Sequence, residues 1–129
     1  MTFLDDQNNV PIIKSMVELY KVYYSYKNLF PKKDRYTLGE KCERYIIDML
    51  ELVLKASTLP KDKKLPMVEE GSDKLDILKI FIRLLKELQI IDNNKNTELQ
   101  NHIAGIGKMF GGWIKSLKEP QKEEVCQTN

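Results

Sequence analysis

The stretch LDILKIFIRLLKEL, residues 75–88, constrains the fold more than any other part of the chain. Its spacing is that of a helix, and apolar residues occupy most of its circumference. Only a narrow basic ridge interrupts them, formed by Lys79, Arg83 and Lys86. Ile77, Phe81, Leu84 and Leu88 lie opposite that ridge, and Leu78, Ile80, Leu85 and Ile91 fill the flanks. A helix with so much apolar surface needs cover from more than one side. The expectation is an all-α assembly of packed helices, with a function in binding rather than in catalysis.

The remaining chain supplies suitable partners. Pro11 suits the first turn of a helix, and Ile12, Met16, Leu19, Tyr23, Tyr26 and Phe30 follow at three- and four-residue steps. That helix should end before Pro31. The segment PKKDR reads as a basic connection. A second helix is expected from about Arg35 to Ser57, with Leu38, Cys42, Ile46, Met49, Val53 and Ala56 inward. Its other face carries Glu40, Arg44, Asp48, Glu51 and Lys55, several of them at i,i+4 spacing. LPKDKKLP reads as a polar connection, and a third helix as spanning about Met67 to Ile91. Gly71 weakens the first turns of that helix. IDNNKNT reads as a loop, and Thr97 with Gln100 resembles a capping box opening a fourth helix, which runs to about Leu117.

Short connections between four helices favour antiparallel neighbours, hence an up-down four-helix bundle over residues 10–118. Residues 1–9 read as a flexible lead and residues 119–129 as a disordered tail. The formal net charge is only +2. No whole-molecule field therefore dictates a nucleic-acid partner, and anion binding must come from local clusters. The helix-three ridge is one such cluster, although Asp76 and Glu87 could neutralise part of it. Lys32, Lys33 and Arg35, beside Lys27, form a second, and Lys61, Lys63 and Lys64 a third. Each is either a solvated surface or a contact for phosphates or an acidic protein. If the two loop clusters met at one end of the bundle, they would form a phosphate-binding rim.

Surplus apolar surface beyond one core implies subunit contacts. Ile80 and Leu84 are the candidates on helix three. Helix four carries Leu99, Ile103, Ile106, Phe110, Ile114 and Leu117 on one face, bordered by Trp113. Ala104, Gly107 and Gly111 flank it and would let another helix approach closely. Gly107, Gly111 and Trp113 therefore join the candidates for oligomer or helix packing. Tyr20, Tyr23, Tyr24 and Tyr26 read as packing residues, with base stacking as the alternative.

Catalytic readings find little support. His102 is the single histidine, and the paired Glu-x-x-His motifs of di-metal bundles are absent. GIGKMFGG has neither the spacing nor the preceding strand of a phosphate loop. No catalytic residue, metal or cofactor is expected. Cys42 and Cys126 read as unpaired thiols of a reducing compartment. MTFLDDQNN lacks the apolar region of a signal peptide, which favours a cytoplasmic location.

Tyr36-x-Leu38 with GEKCERYIIDMLELVLKA, then LDILKIFIRLLKEL and IGKMFGGWIKSL, resemble the accessory variability determinant (Avd) proteins of diversity-generating retroelements. These sit within a wider set of bacterial four-helix proteins that includes those of ribosomal RNA intervening sequences. The resemblance covers roughly residues 10–118. It implies a homopentameric barrel of four-helix protomers that associates with a reverse transcriptase and binds nucleic acid. It further implies support of error-prone cDNA synthesis and mutagenic homing, without catalysis by the chain itself. Lys79 and Arg83 match a basic pair of the family's third helix, and Gly111, Trp113 and Ile114 match its Gly-x-Trp-Ile element. The best-known type of Avd is strongly basic, whereas this chain is nearly balanced. A four-helix protein of the intervening-sequence type, with no polymerase partner, is the alternative.

Overall fold

The computed structural model describes residues 9–119, which form five helices. They are α1 (Asn9–Lys27), the single turn α2 (Lys32–Arg35), α3 (Leu38–Ala56), α4 (Lys61–Glu87) and α5 (Asn93–Lys118). The four long helices form a ring in which α1 and α4 each pack on both α3 and α5. Neighbours run antiparallel. The end of α1 meets the start of α3 where the Tyr23 hydroxyl donates to the Gly39 carbonyl at 2.7 Å. Tyr26, near the end of α1, donates to Glu98 near the start of α5. Lys118, ending α5, pairs with Glu69 early in α4 at 3.3 Å. The architecture is the expected all-α, up-down four-helix bundle.

The core follows from the helical period. Ile12, Met16, Leu19 and Tyr23 on α1 face Cys42, Ile46, Met49 and Val53 on α3, and all eight are fully buried. Leu78, Ile82 and Leu85 on α4 and Leu99, Ile106 and Phe110 on α5 close the other half. Each such aliphatic or aromatic side chain contributes about 1.5–3 kcal/mol through burial. Two glycines mark close approaches. A Cβ on Gly39 would lie 2.8 Å from the Asp34 carbonyl oxygen, where the chain leaves α2. A Cβ on Gly71 would lie 3.0 Å from the Phe110 ring, so Gly71 lets α4 settle against α5.

Several expected boundaries are corrected. Residues 61–66 are the first turns of α4 rather than a connection. Pro66 sits six residues into that helix, where it removes only one intrahelical hydrogen bond. Met67 packs on the core and Val68 is buried, which holds these turns in place. The cap of α5 is Asp92, whose carboxylate accepts from the Lys95 amide at 2.8 Å. The helix therefore starts at Asn93, and Gln100 donates across to the Lys79 carbonyl instead of capping. PKKDR is not wholly a connection, because Lys32–Arg35 wind into α2 and α3 begins only at Leu38. Trp113 is 1% exposed and belongs to the core rather than to its border, while Ile114 and Leu117 are half-buried. The expectations for residues 1–8 and 120–129, Cys126 included, fall outside the described residues. Among the described residues, no helix is long and apolar enough to cross a membrane.

Candidate functional site

Helix α4 presents three lengthwise strips. The first, Val68, Gly71, Leu75, Leu78, Ile82 and Leu85, enters the core. The second lies toward α5 and carries Lys79, Arg83 and Lys86, all exposed. The third lies toward α3. There the Phe81 ring sits 5.6 Å from that of Tyr45, and Ile77, Ile80, Leu84 and Leu88 remain 41%, 49%, 37% and 58% exposed. Helical period alone explains the separation. The basic residues recur on one side of the core strip, and the surplus apolar residues on the other.

The ridge borders a groove of about 320 Å³ between α4 and α5. Leu75 and Ile103 give it apolar contacts, Lys79 and Asp76 stand on α4, and Gln100, Ala104, Gly107 and Lys108 stand on α5. Asp76 and Glu87 do not form an ion pair with the ridge. Among the described residues Lys79, Arg83 and Lys86 have no carboxylate at salt-bridge distance. Their charge is available to solvent or to a partner.

The other basic clusters are divided between the two ends of the bundle. Lys32 and Lys33 are exposed on α2, between the end of α1 and the start of α3. Arg35 is half-buried, and its Nη2 donates to the Phe30 carbonyl at 3.2 Å, closing the turn from α1 into α3. Lys61, Lys63 and Lys64 begin α4 at the opposite end. The full length of α3, about 28 Å at 1.5 Å per residue, separates them from α2, so the two clusters form no common rim.

The glycines of α5 do not pack helices together within the protomer. A Cβ on Gly107 would find only Leu75 Cδ2, at 3.6 Å, and one on Gly111 would meet nothing within 4 Å. The close packing expected of these positions occurs at Gly71 and Gly39 instead.

Tyr20, Tyr23 and Tyr26 of α1 fasten the bundle, whereas Tyr24 is exposed and its ring meets only Tyr20 of the same helix among the described residues. Tyr20 donates to Glu43 at 2.9 Å, and Lys27 pairs with the same carboxylate at 2.7 Å. Burial raises the Glu43 carboxyl, but the Lys27 ammonium and the Tyr20 hydroxyl outweigh it and hold the group below its ordinary value. The hydrogen bond to Glu98, with burial behind it, pushes Tyr26 up to about 12. Burial likewise pushes the Cys42 thiol up to about 12, partly countered by the Tyr23 hydroxyl. At that value Cys42 is a packing residue rather than a nucleophile. Among the described residues, no group of three or more His, Cys, Asp and Glu side chains could hold a metal ion.

One surface has no counterpart in the sequence reading. Val17, Tyr20, Ile46, Ile47 and Leu50 line an apolar groove of about 140 Å³ between α1 and α3. The available signal was a second period beside each core stripe: Ile13, Val17, Tyr20 and Tyr24 on α1, and Ile47, Leu50 and Leu54 on α3.

No curated protein matches the chain. A family model described as bAvd-like matches residues 11–117. That span takes in all four long helices nearly end to end, with the ridge of α4 and the Gly-x-Trp-Ile element of α5 inside it. The chain belongs to the bAvd-like family.

Proposed function

We propose that the protein is a non-catalytic accessory subunit of a diversity-generating retroelement. It binds the reverse transcriptase and the template RNA or cDNA, and so supports mutagenic homing. The observation that carries this reading is the ridge of Lys79, Arg83 and Lys86, unpaired among the described residues, in a chain of this family. Lys32 and Lys33 extend the basic surface at the α2 end of the bundle. Phosphate contacts from these residues would be salt-dependent and without sequence preference. The half-exposed apolar strip on α4 supports self-assembly into the oligomeric scaffold that presents the ridge.

The direct test is co-purification of the neighbouring reverse transcriptase with the tagged chain. Lys79→Glu/Arg83→Glu should reduce recovery at least tenfold while leaving the mass of the assembly unchanged. Recovery equal to wild type would remove the ridge from the contact. The near-balanced charge favours a second reading, a four-helix protein of the ribosomal-intervening-sequence type with no polymerase partner. Adjacent genes discriminate. A reverse transcriptase beside paired template and variable repeats supports the first reading, and a ribosomal RNA gene supports the second.

A further inference from the structure

The groove of about 320 Å³ between α4 and α5 has an apolar floor and one bare bank. Leu75 and Ile103 form the floor, and Ala104 and Gly107 leave the α5 bank almost without side chains. A Cβ on Gly107 would meet only Leu75 Cδ2, and one on Gly111, a turn further along, nothing within 4 Å. Glycine disfavours a helix interior, and packing among the described residues explains neither position. A bank of this kind lets an extended backbone lie close against the helix.

The charges facing this groove are unequal. Glu69, Asp76 and Lys79 come from α4, and Lys108 and Lys118 from α5, with Lys115 seven residues after Lys108 on the same side. Glu69 is taken by Lys118 at 3.3 Å. Asp76 is left against Lys79, Lys108 and Lys115, all exposed and without an ion pair among the described residues. Asp73 and Glu87, seven residues either side of Ile80, line the apolar strip of α4 instead. Beyond α5 the sequence continues as EPQKEEVCQTN, residues 119–129. Two adjacent carboxylates, Glu123 and Glu124, are followed there by the apolar pair Val125 and Cys126.

We infer that residues 122–128 of this chain seat in the α4–α5 groove, running back along α5. Glu119 already has extended backbone angles, φ −65° and ψ 133°, and Pro120 after it prevents the helix from continuing. Lys118 and Gly107 lie about 17 Å apart along α5 at 1.5 Å per residue. With Pro120 and Gln121 given to the reversal, the residues from Lys122 to Cys126 reach about 17 Å when extended. That register sets Glu123 and Glu124 beside Lys115, and Val125 and Cys126 over Gly111, Gly107 and Leu75. The uncharged Gln127 and Thr128 then meet Asp76, and Lys122 stays at the mouth with Glu69. The seated segment covers Lys108 and the α5 flank of Lys79. It therefore competes with the contact proposed for the ridge, a consequence that rests on that reading, whereas the seating does not.

The test places a cysteine on either side of α5 in the full chain. Gly107→Cys faces the groove, and Gly105→Cys, two residues earlier, lies on the other side of the helix, where a side chain meets nothing within 4 Å. Cys42 is fully buried and stays out of the reaction. Under mild oxidation Gly107→Cys should bridge to Cys126 about tenfold faster than Gly105→Cys, because seating raises the effective concentration of Cys126 on the groove side. The product should run at the mass of one chain on a non-reducing gel. Adding Val125→Ser should bring the two rates together. Equal rates without that change would overturn the seating. A product of twice the mass would overturn it in favour of the same segment from a second copy. For the consequence, Val125→Ser alone leaves every charge in place and should raise recovery of the neighbouring reverse transcriptase about threefold, by enlarging the fraction of chains with an open groove. Unchanged recovery together with selective bridging would overturn the competition alone. No recovery even by the wild-type chain would overturn the proposed function and leave the seating standing.

Discussion

Three single residues carry local arguments that mutation can check. At Gly39 the obstacle to a side chain is the Asp34 carbonyl oxygen, part of the α2 backbone. Gly39→Ala should therefore cost about 1–3 kcal/mol by overpacking, measured by urea unfolding. Gln89 ends α4 in the left-handed region with φ 62°. The Ile90 amide returns to the Leu85 carbonyl around it at 2.9 Å, as in a glycine-type helix stop. Gln89→Gly should gain roughly 0.5–1 kcal/mol by relieving that backbone strain. A loss of stability would mean that the Gln89 side chain contributes more than its backbone costs. Cys42, buried with its thiol pushed up to about 12, should resist alkylation at pH 8 in the native protein and react only on unfolding.

At the scale of elements, the α1–α3 contact contains an acid-sensitive part. The Glu43 carboxyl is depressed in the folded state, below an ordinary value of 4.5. Its stabilising contribution is therefore complete above that value and is lost as pH falls through the depressed one. Asp92 at the start of α5 acts in the same sense, held down first by the Lys95 backbone amide. Thermal unfolding followed from pH 6 to pH 3 should show a shallower acid loss in Glu43→Gln than in wild type. A parallel loss would place the acid sensitivity elsewhere.

Helix identity and inward faces were legible in the sequence because periodicity reports burial directly. Met16, Ile46 and Ile106 all lie where their spacing put them, whereas on α4 the buried Ile82 was not singled out because apolar residues fill most of that helix's circumference. Boundaries were less legible where punctuation residues had two readings. Pro66 closes the connection LPKDKKLP in the sequence reading, yet it is tolerated inside α4. Thr97 with Gln100 looked like a cap, but Asp92 is a stronger one and stands five residues earlier. The candidate surfaces were partly legible for the same reason. Lys79, Arg83 and Lys86 fall on one strip of a single helix, so one wheel shows them. The α1–α3 groove needs Val17 and Ile47 from separate helices to be neighbours, and only packing reveals that.

At the scale of the whole molecule, the bundle divides its outer surface by chemistry. Its α4–α5 edge is basic, and its α4 strip and α1–α3 groove are apolar. That division suits a scaffold that repeats one basic edge around an assembly, so that weak phosphate or protein contacts act together. Light scattering of the wild-type chain at micromolar concentration should therefore give a mass several times 15.1 kDa. The most direct measurement of the central claim is the frequency of mutagenic homing in a retroelement from which this gene has been deleted. Deletion should abolish homing, the wild-type chain should restore it, and Lys79→Glu/Arg83→Glu, still assembled, should not. Homing that continues at the wild-type frequency without the gene would contradict that claim.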